Sequence, residues 1–220
     1  MITINNSMQV CRQGAIEAGS LGGFFTFGGK DVFGISNNHV LANLNDCSVG
    51  DKIFKAGSQV MIGTLQCWIK LNEQRNYLDV ALFKLAADVL PCWNVRGSTI
   101  APGIIRKGIP GEKVYMVKND GSSIEGEIST LFIDDTITFM LSGNAFPFTG
   151  LTEITPLGGQ PFSIAGESGS IIFSEDHDIL GILIGTIADG SKSYYVPFIH
   201  DNVGIKAVYN LHIWKPDVNS

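Results

Sequence analysis

The sequence predicts an all-β protein built from two six-stranded antiparallel β-barrels, and three observations support this fold class. Helical periodicity is scarce along the 220 residues. Short apolar runs alternate with turns rich in glycine, asparagine and aspartate, at the spacing typical of β-sandwiches and β-barrels. Residues 90–112, with three prolines and four glycines, have weak periodicity and indicate a connector between two halves. Each half is about 90 residues long, which suits a barrel of roughly six strands.

The individual strands follow from apolar runs bounded by turn residues. Residues 22–27 and 32–38 flank the turn "GGKD", and "SIIFSEDHDILGILIG" at 170–185 is typical of a hairpin. Further strands are predicted at 59–71, 79–85, 113–119, 125–133, 136–143 and 193–199, with a short outer helix within 200–210. These elements predict an N-terminal barrel over residues 1–92, a connector over 93–112 and a C-terminal barrel over 113–220.

Composition excludes several classes of protein. Apolar residues make up 45% and charged residues 16% of the chain, which argues against disorder. A net charge of -6 and the lack of any lysine or arginine run predict no nucleic-acid partner. No stretch approaches the roughly 18 uninterrupted apolar residues that span a bilayer, so no membrane association is expected. The first 19 residues lack the basic start and apolar run of a secretory signal, which predicts a cytoplasmic protein.

The cysteines predict neither a metal site nor a redox motif. Cys11, Cys47, Cys67 and Cys92 are far apart and form no C-x-x-C pair. They are therefore interpreted as reduced thiols, and we expect no metal and no cofactor.

One short stretch, "IAGESGSIIF" at 164–173, contains a candidate catalytic serine. Ser168 is either a nucleophile between two glycines or an ordinary serine in a glycine-rich turn. With 26 glycines in the chain such patterns arise often by chance. A serine hydroxyl is a weak nucleophile unless an imidazole takes its proton, and an acid must orient that imidazole. The choice therefore depends on finding a histidine and an acid.

His39 and Asp79 are the candidates for these two groups. His39 lies in "ISNNHVLAN", where an apolar strand ends in a polar break, although a core or capping histidine would also fit there. The other three histidines, His177, His200 and His212, have no evident partner in the sequence. Asp79 interrupts the apolar run "YLDVALFKL", and a buried carboxylate must find partners, but a strand-capping aspartate is the alternative.

As a set, "ISNNHVLA", "LDVALFKL" and "GESGS" resemble the signature segments of chymotrypsin/trypsin-like serine peptidases. The segment that leads into the histidine, residues 19–43, is similar to the opening of bacterial trypsin-like peptidase domains. The resemblance covers about residues 18 to 200. It implies two chymotrypsin-like barrels with the site in the cleft between them. His39 would be the general base and then acid, Asp79 would orient it, and Ser168 would form the acyl-enzyme. The amides of Gly166 and Ser168 would form the oxyanion hole.

The chain departs from the family pattern beside the serine. Trypsin-like enzymes usually carry aspartate there, whereas this chain has Glu167, and no zymogen-like terminus occurs near residue 20. Glu167 is expected to find another partner or to face solvent.

The resemblance also assigns a primary specificity pocket. Its walls would come from Phe162, Ser163, Ile184, Gly185, Thr186 and Tyr195. Phe162 falls near the pocket base, where trypsin carries an acid, so preference for lysine or arginine is not expected. A shallow apolar or small-residue pocket is predicted, and the alternative is that Phe162 is a core residue.

Three other functions are alternatives to a constitutively active serine endopeptidase. An α/β-hydrolase needs the order serine, acid, histidine on a strand–turn–helix elbow, and the hairpin after Ser168 excludes it. A catalytically silent binding or scaffold protein with the peptidase fold is the main alternative to a serine endopeptidase. The third is a peptidase that stays silent until an activating partner or ligand orders its site. The expected partners are a protein or peptide substrate and such an activator.

Overall fold

The computed structural model describes residues 1–15, 17–201 and 203–216, with the main chain alone at Ala207. Residues 217–220 of the predicted C-terminal domain lie outside the described residues. Over the described part the strands are β1 Ile2–Asn5, β2 Gln9–Arg12, β3 Gly19–Ser20, β4 Gly23–Thr26, β5 Phe33–Ser36, β6 Lys52–Lys55, β7 Met61–Trp68, β8 Ala81–Leu85, β9 Val89–Cys92, β10 Lys113–Val117, β11 Ser123–Ile133, β12 Ile137–Leu141, β13 Asn144–Phe148, β14 Leu151–Pro156, β15 Ile171–Ser174, β16 Ile179–Thr186, β17 Ser193–Pro197 and β18 His212–Ile213.

The helices are short, as the scarcity of helical periodicity predicts. α1 covers Asn38–Leu41 and continues into a 3-10 turn at Asn43–Asn45, and α2 covers Ile205–Tyr209. α2 lies within the segment predicted as a C-terminal helix. None of the described helices is long and apolar enough to cross a membrane.

The C-terminal half forms a closed six-stranded barrel in the order β10-β11-β14-β17-β16-β15. All six pairings are antiparallel, which confirms the predicted all-β architecture for this half. Its interior is apolar and includes Met116, Ile128, Phe162, Leu183 and Tyr195. Burial of these side chains supplies the driving force for this half.

The N-terminal half is an open sheet and not a second closed six-stranded barrel. Its eight strands run in the order β18-β4-β5-β8-β7-β6-β2-β3. Only Leu21 and Gly22 separate β3, at one end of the sheet, from β4, the second strand from the other end. The Leu21 amide bonds to Met8 on one side and the Gly22 amide to Ile35 on the other. At this point the chain stops pairing with the segment around Met8 and begins to pair with β5. No continuous strand pairing therefore closes the sheet.

The division into two domains needs one change at its C-terminal end. β18 pairs with Phe25 and Thr26 of β4, so the last described strand belongs to the N-terminal sheet. The Trp93 indole also donates to the carbonyl of Trp214 at 2.9 Å. We therefore propose that residues 1–92 and 113–201 form the two units around the connector, and that the chain then returns to the first.

A two-stranded hairpin, β12–β13, lies outside both sheets and contacts both halves. Phe139 packs edge-on against Tyr194 of the barrel at 6.0 Å between ring centroids. On the other side, the Asn76 amide donates to the Pro147 carbonyl at 2.9 Å. The hairpin is therefore fastened to the barrel and to the loop that precedes Asp79, and it lies beside the boundary of the halves.

The core of the first sheet is organised around Phe83. This ring is fully buried, and Gly34 on the neighbouring strand lies so close that an added Cβ would come within 2.4 Å of it. Gly63 is constrained in the same way, with 2.7 Å between an added Cβ and the ring. The Phe83 ring therefore occupies the space that side chains at positions 34 and 63, on the two neighbouring strands, would otherwise fill.

Truncation of this ring, Phe83→Ala, is expected to lower the free energy of unfolding by about 3–5 kcal/mol, because two glycines line the cavity and cannot fill it. Phe27→Ala is the matched control, since Phe27 is 38% exposed, and it should cost less than half as much. Urea titration of both variants measures the difference. Equal losses would show that the Phe83 site collapses around the deletion.

Candidate active site

His39 and Asp79 are brought together by the pairing of β5 with β8. Ser36, the last residue of β5, lies opposite Ala81, the first residue of β8. The chain leaving β5 and the chain entering β8 therefore emerge at the same end of the sheet. His39 Nδ1 lies 2.5 Å from Asp79 Oδ2, and the His39 amide donates to Asp79 Oδ1 at 3.2 Å.

The Asp79 carboxylate is fully buried. A buried carboxylate is tolerated when its oxygens are hydrogen-bonded, and here His39 supplies a partner to each oxygen. With Nδ1 engaged by Asp79, Nε2 is the nitrogen of His39 left to exchange a proton with another group.

Two buried asparagines hold the segment that carries His39. The side-chain amide of Asn37 donates to the main-chain carbonyl of Asp79 at 2.7 Å. The side-chain amide of Asn38 donates to the main-chain carbonyl of Ile69 at 2.7 Å and to the side-chain oxygen of Asn45 at 2.8 Å. The "NN" before the histidine, which looks like a turn in the sequence, therefore fixes α1 against β7 and β8.

The loop that carries Ser168 is attached to the edge of the first sheet. The Ser20 amide donates to the Ser168 carbonyl at 2.7 Å, and the Ser20 hydroxyl donates to the Gly166 carbonyl at 3.2 Å. The Ser36 hydroxyl in turn donates to the Ser20 carbonyl at 2.7 Å. Two hydrogen bonds thus connect Ser36, on the strand before His39, with Ser168 through Ser20, and the third holds Gly166 beside them.

Both glycines around Ser168 have a backbone that requires glycine. Gly166 has φ +90° and Gly169 has φ +97°. A Cβ on Gly169 would also lie 2.2 Å from the Ser36 hydroxyl and 2.3 Å from the Ser20 carbonyl. Among the described residues, neither the Gly166 amide nor the Ser168 amide donates to a protein acceptor. Both amides are therefore available to a bound oxygen.

The Ser168 hydroxyl does not hydrogen-bond to His39. It donates to the main-chain carbonyl of Ile184 on β16 at 2.8 Å. Ser168 and His39 nevertheless line one cavity of about 760 Å³, together with Arg12, Gly166, Met140 and Leu141. Rotation of the serine side chain about one bond would redirect its hydroxyl within this cavity.

Glu167 has partners within the protein. Its carboxylate accepts from the Ile164 amide at 2.8 Å and lies 3.6 Å from the Lys118 ammonium. The Glu167 amide donates back to the Ile164 carbonyl at 3.2 Å, which closes the turn that carries Gly166. Burial raises the pKa of Glu167 above its usual value, although the Ile164 amide and Lys118 act in the opposite direction.

The six residues predicted to form the specificity pocket do not line this cavity. Phe162 and Tyr195 are buried in the core of the barrel, which corrects their prediction as pocket walls and supports the core alternative for Phe162. Ser163 is buried too, and its hydroxyl lies 2.9 Å from that of Ser193. Ile184 contributes its carbonyl to Ser168. Gly185 and Thr186 are half-buried at the end of β16, and their contact with substrate remains a prediction.

Several cavity residues carried no signal in the sequence. Arg12 lies in a segment to which the sequence assigns no element, and Asn43 ends the segment that carries His39 without any predicted role. Met140 and Leu141 belong to a predicted strand without any expected contact to the site. In β12, Phe139 and Leu141 are buried and Met140 is exposed. This regular alternation could have indicated a strand with one buried and one solvent-exposed face. Nothing local could have indicated that this strand borders the serine.

The arrangement of the strands can be compared with the folds of known proteins. No protein-family model matches this chain, and no curated protein matches its sequence. Solved structures match it over almost the whole length, and they have the fold of bacterial chymotrypsin-like serine proteases.

Thermobifida fusca protease A is 14% identical with a TM-score of 0.69, covering 97% of this chain and 100% of that protein. Cellulomonas bogoriensis chymotrypsin is 16% identical with a TM-score of 0.67, covering 98% and 100%. Nocardiopsis protease is 13% identical with a TM-score of 0.68, covering 96% and 98%. At these identities the likeness defines the fold, and the chemistry depends on this chain's own residues.

The raised pKa of Glu167 predicts how stability depends on pH. A carboxyl whose folded pKa lies above its unfolded pKa favours folding at low pH, and this contribution is lost as the pH rises through the folded value. Glu167→Gln removes the buried charge, so the variant should match the wild type near pH 4. It should melt higher by a few degrees at pH 8, the shift that about 1 kcal/mol gives in a chain of this size.

Thermal unfolding of both proteins from pH 4 to pH 8 measures this difference. The exposed Glu175→Gln is the matched control and should show no pH-dependent gap. A variant that is less stable than the wild type at pH 8 would mean that the Lys118 ion pair outweighs the cost of burial.

The close approach at Gly169 can be separated from its backbone angle. Gly169→Ala forces a Cβ against Ser36 and Ser20, and the positive φ alone costs about 1–2 kcal/mol. Gly158→Ala is the matched control, because Gly158 has φ +93° with no atom within 4 Å of an added Cβ. We expect Gly169→Ala to lose clearly more stability in chemical denaturation than Gly158→Ala. Equal losses would mean that the junction yields without strain.

Proposed function

We propose that this protein is a serine endopeptidase that hydrolyses peptide bonds through Ser168, His39 and Asp79. The observation that carries the proposal is the contact of 2.5 Å between His39 and the fully buried Asp79, on the wall of a cavity that Ser168 shares. An imidazole held by a buried carboxylate beside a serine is the arrangement that activates a serine hydroxyl.

In the proposed reaction the Ser168 hydroxyl first turns from Ile184 towards His39. His39 Nε2 takes the hydroxyl proton while Oγ attacks the carbonyl carbon of the substrate. The carbonyl oxygen becomes an oxyanion, which the amides of Gly166 and Ser168 would bind. One such donor is typically worth about 3 kcal/mol in the transition state.

The intermediate then collapses to products. The bond from carbonyl carbon to nitrogen breaks, and the leaving amine takes its proton from His39. Water next attacks the acyl-enzyme, His39 accepts one proton of that water, and Ser168 regains it as the acid is released. Asp79 holds the His39 ring in one orientation throughout.

The alternative is a catalytically silent protein with the same fold. One observation favours it, the hydrogen bond from the Ser168 hydroxyl to the Ile184 carbonyl, which leaves the serine turned away from His39. The same bond suits a peptidase that waits for an activating partner or ligand, because an arriving group can bias the serine towards His39. The two free amides beside Ser168 favour the active form over the silent one.

Labelling by a fluorophosphonate, read by intact mass, tests the proposal. The wild type should gain one adduct on Ser168, and Ser168→Ala and His39→Ala should gain none. Asp79→Asn should react about 10⁴ times more slowly, because the His39 tautomer is no longer fixed. Ser142→Ala, which removes another hydroxyl from the same cavity, and the surface change His177→Ala are the controls and should label normally.

No adduct on the folded wild type would contradict the proposal in its simple form. Labelling that begins only when a cell extract or candidate ligand is added would identify an activated peptidase. An adduct that persists in His39→Ala would mean that Ser168 reacts without the proposed base.

A further inference from the structure

We infer that Arg12 is a specificity-determining residue on the leaving-group side of the cleft, where it selects substrates with a carboxylate shortly after the scissile bond. The inference rests on the proposed peptidase function. The carboxylate could belong to an aspartate or glutamate side chain or to the end of a short peptide.

Arg12 is a cation without a counter-charge in direct contact. Its side chain lines the cavity of about 760 Å³ that also holds His39 and Ser168. One guanidinium nitrogen donates to the Asn43 side chain at 2.8 Å and another to the Gln13 carbonyl at 3.4 Å. Both acceptors are neutral, and Arg12 forms no ion pair with any carboxylate of the described residues.

The position of Arg12 follows from the wall that carries His39. Asn43 comes four residues after His39, just past α1, and both line the cavity. The hydrogen bond between Asn43 and Arg12 therefore fastens the guanidinium to the same wall. Since His39 must protonate the leaving amine, the departing chain has to pass along this wall.

If the departing chain follows this wall, the acyl part of the substrate must lie on the other side of Ser168. β16 borders Ser168 there, through the Ile184 carbonyl at 2.8 Å. The hairpin lies beside β16, since Phe139 comes within 3.6 Å of a Cβ added to Gly185, and its Met140 and Leu141 line the apolar part of the cavity. The cleft is thus apolar towards the acyl side and cationic towards the leaving group.

Guanidinium groups bind carboxylates through two parallel hydrogen bonds, and Arg12 still has nitrogen donors free for such a pair. Glu17 also lines the cavity, but it is exposed and forms no ion pair with Arg12. Within a chain of net charge -6, a free guanidinium in the cleft is a local exception that favours an acidic partner.

Aminolysis of an acetyl-enzyme tests the inference directly on the leaving-group side. p-Nitrophenyl acetate acetylates Ser168 and releases nitrophenol, and intact mass verifies the adduct. A dipeptide amide then attacks the acetyl carbon, its amine loses a proton through His39 to Ser168, and an acetyl-dipeptide forms. The ratio of this product to acetate measures how well each dipeptide binds beyond the scissile bond.

The nucleophiles are Ala-Asp-amide against Ala-Asn-amide for a side-chain carboxylate, and Ala-Ala acid against Ala-Ala-amide for a terminal one. At low salt the wild type should favour one or both acidic nucleophiles about tenfold over the neutral partner. Arg12→Met should abolish this preference, and Arg12→Lys should keep part of it because the charge remains without the planar fork. The surface variant Lys30→Met is the matched control and should leave the ratio unchanged.

Equal partition in the wild type, or a preference that survives Arg12→Met, would overturn the inference. Slower acetylation in Arg12→Met with an unchanged ratio would mean that Arg12 only supports Asn43, and would overturn it too. If the wild type forms no acetyl adduct, the proposed function itself fails and the inference falls with it. The mass measurement before the nucleophile is added keeps these two failures apart.

Discussion

The site depends on one close contact between main chains, at the place where the edge of the first sheet meets the serine loop. The Ser20 amide bonds to the Ser168 carbonyl at 2.7 Å. Glycines at positions 19, 22 and 169 make this approach possible, because an added Cβ at any of them would come within 2.8 Å of a main-chain atom across the junction. The same sheet edge is tied through Ser36 to the strand that leads into His39. The separation of His39 from Ser168 is therefore constrained by hydrogen bonds that join the serine loop to β3 and β3 to β5.

Much of the fold and of the site could be predicted from the sequence, since the strongest signals are local. Apolar runs between turn residues define most strands, and a buried aspartate in an apolar run must have a partner, which is His39 here. The open first sheet could not be predicted, because it depends on how Leu21 and Gly22 pass the chain between two neighbours. The return of His212 and Ile213 to β4 is likewise a long-range pairing without a local signature.

The specificity pocket was the least predictable part. The resemblance to trypsin-like peptidases places Phe162 near the pocket base, yet its ring is fully buried inside the barrel. Sequence separation fixes position along a strand but not the face to which a side chain points, and a shift of one residue exchanges core for surface. Arg12 and Met140 reach the cleft from opposite halves of the chain, so only tertiary structure brings them together.

The junction places few demands on side-chain identity. What the junction requires is main-chain donors, main-chain acceptors and the absence of side chains at a few positions. The two buried asparagines before His39 act in a similar way, because their side-chain amides donate to main-chain carbonyls of Ile69 and Asp79. Main-chain groups are the same whatever the residue, so most side chains can change while the strands keep their places.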